Sequence, residues 1–111
     1  MDERIRRVGL NEAVFREINE QVESLNRSLA DISDNQMHIV CECGQLECVE
    51  RLVVPLLKYE EIRSDSALFF IRPGHAMPDA EDVVEQADGY DVVRKHAGEA
   101  EQLAAETDPR S

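Results

Sequence analysis

The sequence has no tryptophan and few other aromatic residues: three phenylalanines and two tyrosines in 111 residues. A chain of this length fits one domain. It buries a smaller fraction of its surface than a larger domain does, so its apolar core is modest. A covalent or metal cross-link would therefore add noticeably to the stability of the fold.

Long apolar runs and basic residues are also scarce. No stretch approaches the roughly 20 apolar residues of a membrane span, and the start, MDERIRRVGLNEAVF, lacks the apolar segment of a secretory signal. We therefore expect a cytoplasmic protein. Twelve Lys and Arg against 24 Asp and Glu give a net charge of −12. This charge predicts no binding to nucleic acid, which needs cations to displace phosphate counterions, and none to anionic membranes.

Apolar spacing predicts a long helix between Asn11 and Ala30, with Asn11 as its N-cap. The apolar residues of its stripe are Val14, Ile18, Val22, Leu25 and Leu29, widened by Phe15. We expect this stripe to pack on a small, mostly antiparallel sheet. Because the spacing is close to a heptad, the alternative use of the 11–30 helix is to bind a protein partner or form a homodimer.

The rest of the chain predicts short strands and two shorter helices. Strands are predicted at 37–41, 49–54, 68–71, 82–85 and 90–94, helices at 55–63 and 98–107, and a turn at 31–35. The first two strands form a hairpin with the cysteines at its tip. The fold class is therefore α+β. We expect one domain over residues 11–107, with a flexible N-terminus at 1–10 and a flexible tail at 108–111.

All three cysteines lie within the eight-residue segment CECGQLEC at 41–48. An odd count suits a secreted disulfide framework poorly, whereas thiolates are ligands of zinc and of iron–sulfur centres. Gly44 permits a tight turn that directs backbone N–H groups toward the sulfurs. Cys41, Cys43 and Cys48 are therefore predicted metal ligands, one short of the usual four; the alternative is three buried or reactive thiols.

Three histidines are candidates for the fourth ligand. His38 precedes Cys41 by three residues on a predicted strand, where alternation points it away from that cysteine. His96 follows a strand without turn residues around it. His75 ends a strand in Pro73-Gly74-His75, a rigid turn able to present a side chain to a neighbouring loop. The residues favour His75 and leave His38 and His96 as alternatives.

A set of three Cys and one His also holds the two-iron cluster of CDGSH-type proteins. Those proteins require Asp-Gly-Ser/Ala/Thr-His directly after the last cysteine, whereas Cys48 is followed here by Val49-Glu50-Arg51. We therefore predict Zn²⁺ as the cofactor, with an iron–sulfur cluster as the alternative.

Five segments form a recurring pattern: NEAVFREINE at 11–20, CECG…CVE at 41–50, YE…R at 59–63, F…PGH at 70–75 and ETDPR at 106–110. In these segments the chain resembles a family of small uncharacterised actinobacterial proteins. The resemblance implies that Cys41, Cys43, Cys48 and His75 belong to one pattern, C-x-C-G-x3-C followed by P-G-H. It implies no activity.

No motif of a known catalytic mechanism is present, whether GxSxG, a Gly-rich phosphate loop or HExxH. Glu42, Glu47 and Glu50 lie near the predicted metal and are interpreted as solvated loop residues. The sequence thus predicts a non-enzymatic protein-interaction module stabilised by structural zinc. A redox or metal sensor that uses the cysteines is the alternative, and an enzyme is the less favoured one.

Overall fold

The computed structural model describes residues 2–29 and 35–110, except for the side chains of 26–29. Its elements are α1 (Glu3–Leu29), β1 (Gln36–Val40), β2 (Arg51–Pro55), α2 (Leu56–Arg63), β3 (Leu68–Ile71), β4 (Glu81–Ala87), β5 (Tyr90–Lys95) and α3 (Glu99–Glu106). The predicted α+β class with a long N-terminal helix is confirmed. The predicted turn at 31–35 lies outside the described residues, apart from Asn35.

The strands are antiparallel, as predicted, but they form two sheets rather than one. β1 and β2 make a hairpin in which His38 faces Val53. The second sheet has the order β3-β5-β4, with a register shift between Val83 and Glu85 in its edge strand β4. The connection between β1 and β2, residues 41–50, carries all three cysteines.

The core lies in two apolar clusters that share strand β3. The first surrounds Phe70, whose ring stacks on Tyr59 with centroids 5.7 Å apart and meets the edge of Tyr90 at 5.6 Å. The second contains Phe69 together with Cys41 and Cys43. Because successive side chains of a strand point to opposite faces, β3 contributes Phe69 and Phe70 to different clusters. The cysteine connection is thus part of the core.

Helix α1 begins at Glu3, so the predicted start at Asn11 is wrong, and residues 3–10, predicted to be flexible, are helical. The cap is Asp2, whose carboxylate accepts a hydrogen bond from the backbone N–H of Arg4 at 2.8 Å. Asn11 instead donates from its side-chain amide to the carbonyl of Gly44 at 3.1 Å. The helix therefore reaches past the cysteine connection and contacts it.

The buried face of α1 is polar, contrary to the prediction. Val14, Ile18 and Leu25 of the predicted apolar stripe are exposed, whereas Val22 is partly buried against the first cluster. Apart from Val8, the buried positions of the helix are polar: Glu12, Arg16, Asn19 and Glu23. These polar residues also recur at helical spacing and meet partners on the sheets. The Asn19 amide, for example, donates to the carbonyl of Val40 and accepts from its N–H, both at 2.9 Å. Polar pairing thus replaces apolar packing along this face.

Two buried cations attach α1 to the second sheet and to α3. Lys95 donates to Glu12 at 2.7 Å and to Glu81 at 2.9 Å. Arg16 donates to the carbonyls of Ser66 and Ala104, both at 2.8 Å. Burial raises the pKa of Glu12 well above its usual range, although Lys95 opposes the shift. Each charge of this interface is therefore stabilised by a partner distant in sequence.

The chain end is attached as well. Arg110, in the tail predicted to be flexible, forms ion pairs with Glu20 at 2.8 Å and Glu60 at 2.9 Å. Tyr59 donates from its hydroxyl to Glu20 at 2.8 Å. Carboxylates of α1 and α2 thus converge on Arg110; Ser111 lies outside the described residues.

Candidate metal centre

Two loops bring the predicted ligands together. The cysteines occupy the connection between β1 and β2, which closes through a backbone hydrogen bond of 3.0 Å from Cys41 to Glu50. His75 lies in the turn after β3. The backbone N–H of Glu42 donates to the carbonyl of Phe70 at 2.8 Å, which holds the connection against β3. The turn that follows β3 is thereby placed beside the cysteines.

The four side chains form one compact group. The ligand atoms of Cys41, Cys43, Cys48 and His75 all lie within 4.8 Å of one another. The Nδ1 atom of His75 is 3.8 Å from the sulfur of Cys41 and 3.6 Å from that of Cys48. Zinc bonds of about 2.3 Å to sulfur and about 2.0 Å to nitrogen separate such atoms by about 3.5 Å in a tetrahedral site. The spacing therefore fits one metal ion.

The other two histidines are elsewhere. His38 is exposed on the outer face of β1, opposite Val53, as strand alternation predicts. The Nε2 atom of His96 lies 3.3 Å from a carboxylate oxygen of Asp82. Of the three histidines only His75 joins the cysteine group.

Backbone N–H groups point at the sulfurs. Arg72 donates to Cys41 at 3.2 Å, and the backbones of Gln45 and Glu50 donate to Cys43 and Cys48. A hydrogen bond from Cys41, with that of Gln45, lowers the pKa of Cys43 to about 5. The same shared proton raises the pKa of Cys41. Burial also raises the pKa of Cys48, although the N–H of Glu50 opposes the shift. The surroundings thus favour the thiolate, the form in which cysteine binds metal, most clearly at Cys43.

Gly44 allows both this turn and the contact with α1. Its φ is +80°, a conformation that costs residues with a Cβ about 1–2 kcal/mol. A Cβ at this position would lie 2.6 Å from Cγ1 of Val8 and 2.8 Å from the carbonyl oxygen of the same residue. The connection therefore packs against the helix at a distance that only glycine permits.

Glu42 is the residue of this site that the sequence interpretation missed. It is not solvated: its side chain is 0% exposed and accepts hydrogen bonds from four donors. These are Arg63 Nη1 at 2.7 Å, Arg63 Nη2 at 3.0 Å, Asn19 Nδ2 at 2.7 Å and the N–H of Phe70 at 3.0 Å. A signal was available, because the spacing Cys-x-Cys in extended backbone turns the middle side chain away from the metal and toward the core.

The group has a closed side and an open side. Cys41 and Cys43 are each 2% exposed, whereas Cys48 and His75 are half-buried. These two residues line an open groove of about 490 Å³, whose other lining residues are Gln45, Glu47, Val49, Glu50, Gly74 and Ala76. Solvent molecules can therefore reach the sulfur of Cys48.

No family model, curated protein or solved structure matches the chain. The resemblance to an actinobacterial family therefore stays a prediction. Within the described residues, no helix is long and apolar enough to cross a membrane. Any function must consequently be inferred from the cysteine–histidine group and from the surfaces around it.

Proposed function

We propose that one zinc ion, bound by Cys41, Cys43, Cys48 and His75, stabilises a small non-enzymatic protein-interaction module that works in the cytoplasm. The observation that carries the proposal is the placement of all four ligand atoms within 4.8 Å of one another. Three thiolates and one imidazole are a standard ligand set of structural zinc sites. Soft sulfur ligands also disfavour Mg²⁺ and Ca²⁺, which prefer oxygen.

The compactness of the group supports a single ion rather than an iron–sulfur cluster. A two-iron cluster divides its protein ligands between two metals. Ligands of different irons then lie farther apart than ligands of one ion. The sulfur–nitrogen distances of 3.6 and 3.8 Å instead fit the edges of one tetrahedron.

A structural role follows from the complete ligand set. Four protein ligands fill the tetrahedral shell, so no position is left for water or substrate. The ion would join the hairpin connection to the turn after β3, two segments of different sheets. Because a preformed site rarely exists in the unfolded chain, the free energy of metal binding becomes free energy of folding.

The interaction surface that we propose is the outer face of α1. Apolar side chains on this face are exposed, whereas the inner face is occupied by polar residues paired to the sheets. An apolar stripe that the fold of its own chain leaves uncovered is typical of a protein-binding surface. The net charge of −12 disfavours nucleic acid as the partner.

Elemental analysis of the purified protein tests the metal proposal. We expect one zinc per chain, and a loss of most of it in Cys41→Ser and His75→Ala, since each removes a ligand. The matched controls are His38→Ala and His96→Ala, whose side chains lie outside the group. These should retain one zinc per chain.

A protein purified without metal that also fails to bind added zinc contradicts the proposal. Iron accompanied by acid-labile sulfide would favour the cluster instead. If His38→Ala loses as much zinc as His75→Ala, the assignment of His75 as the fourth ligand is wrong.

We propose a redox sensor as the second candidate function, because Cys48 combines a ligand position with exposure to the open groove. Its thiolate would attack one oxygen of hydrogen peroxide and break the O–O bond, which gives a sulfenic acid and releases the other oxygen as hydroxide. A second thiolate of the group would then displace hydroxide from that sulfur, form a disulfide and deprive zinc of two ligands.

Zinc release after mild peroxide treatment, followed with a chromogenic zinc indicator, tests this function. We expect release from the native protein and slower release from Cys48→His, which keeps a ligand but removes the exposed thiol. Retention of zinc with unchanged structure in the native protein would contradict the sensor function, and it would leave the structural role intact.

A further inference from the structure

Helix α1 carries an apolar stripe that its own chain does not cover. Leu10, Val14, Ile18 and Leu25 are 38, 58, 42 and 62% exposed. At about 100° per residue these positions centre on the side of the helix opposite the buried polar face. The stripe therefore points directly away from both sheets.

Two charges of opposite sign border the stripe at matching positions. Arg7 precedes Val14 by two helical turns, and Glu17 follows Leu10 by two turns; both side chains are exposed. Among the side chains that the structure describes, neither has an ion-pair partner. On a protein with a net charge of −12, an exposed and unpaired arginine beside an apolar surface is well placed to meet a carboxylate of another molecule.

We propose that the N-terminal part of the stripe, centred on Leu10 and Val14, binds the same part of a second copy, with the two α1 helices antiparallel. This inference rests on the proposed function in that it names the partner of the interaction surface. A two-fold axis that places Leu10 opposite Val14 of the second copy also places Glu17 opposite its Arg7, one heptad farther along. Because the contact is symmetric, both pairs form twice.

Charge selects this orientation over the parallel one. Parallel helices in register would place Arg7 beside Arg7 and Glu17 beside Glu17, and like charges at such positions are destabilising. The antiparallel register instead places each Arg7 beside Glu17 of the other copy.

The register also leaves one exposed leucine out. Leu25 lies opposite a point that precedes the first turn of the second helix, since α1 begins at Glu3. It is as exposed as Val14 but takes no part in the contact. Leu25 is therefore an internal control for unspecific hydrophobic association.

The contact is small. A few side chains per copy fall short of the roughly 800 Å² per partner of a standard interface. We expect a weak dimer that forms as protein concentration rises, rather than an obligate one.

Sedimentation velocity of the full, zinc-loaded chain over a range of concentrations tests the proposal. We expect a monomer–dimer equilibrium whose Kd rises in Val14→Glu, which puts a charge in the centre of the stripe. Arg7→Glu should raise Kd about tenfold, because it turns two attractive pairs into repulsive ones. The double variant Arg7→Glu with Glu17→Arg should return Kd toward that of the native protein.

Leu25→Glu should leave Kd unchanged. The dimer proposal is overturned if the native chain stays monomeric at every concentration, if Leu25→Glu weakens association as much as Val14→Glu, or if the double variant does not recover. Helical circular dichroism and zinc content, measured on the same samples, establish that each variant is folded. They also decide the zinc proposal independently of the dimer.

Discussion

Replacing Glu42 by alanine is expected to lower the free energy of unfolding by about 3–5 kcal/mol, the usual cost of removing one partner of a buried ion pair. The side chain is fully buried and pairs with Arg63, whose guanidinium is 1% exposed. Burial alone would disfavour the charge of Arg63, yet Glu42 outweighs it and raises the pKa of that arginine. Without Glu42 the arginine is left as an uncompensated buried charge. Urea unfolding of the zinc-loaded protein at neutral pH measures the loss.

Glu47→Ala is the matched control for this variant. It removes a carboxylate from the same connection, but Glu47 is exposed and should cost less than about 0.5 kcal/mol. The double variant Glu42→Met with Arg63→Leu should be more stable than Glu42→Ala alone, because an apolar pair leaves no buried charge unpaired. A loss in Glu42→Ala no larger than that of Glu47→Ala would mean that this carboxylate does not hold the hairpin to the second sheet.

The elements of the fold could be predicted because local patterns determine them. The strands and the two short helices lie within two residues of the predicted bounds, since alternation and turn residues mark them. Which face of α1 is buried could not be predicted in the same way. Its sequence contains an apolar stripe and a polar stripe at equal spacing, and apolar periodicity selects the wrong one for burial.

The polar face of α1 is the buried one because its side chains pair with residues that are distant in sequence. Lys95 lies 83 residues from Glu12, and Arg63 lies 21 residues from Glu42. No local pattern indicates that such side chains meet. The polar face of α1 can be buried only because of such contacts, since each charged group would otherwise lose its hydration without compensation.

The cysteine–histidine group was easier to predict than its surroundings. Three cysteines within eight residues and a histidine in a Pro-Gly turn are local signals, and the structure brings those four residues together. The supporting contacts are not local. Gly44 fits against Val8 only because α1 begins several residues earlier than its apolar stripe suggests.

Removal of the metal by a strong chelator is expected to lower Tm sharply and to loosen the domain. Structural zinc in small domains contributes about 10–16 kcal/mol of apparent binding free energy, comparable to the 5–15 kcal/mol that typically stabilise a whole domain. The loss should be severe here, because Cys41 and Cys43 belong to the second apolar cluster with Phe69 and Val93. Without the cation, the cysteine connection and the turn at His75 lose the bonds through which the metal joins them. Thermal unfolding followed by circular dichroism, with and without chelator, measures the change.

The location of the loss distinguishes metal binding from a general effect of the chelator. Hydrogen exchange should increase first in the connection at 41–50 and in the turn at His75, since the ion joins these two segments. The cluster around Phe70, which contains no cysteine, should follow only as the domain unfolds. Added zinc should restore Tm in the native protein and in His96→Ala, but not in His75→Ala. An unchanged Tm in chelator, with zinc demonstrably removed, would mean that the buried ion pairs hold the cysteine connection in place without the metal.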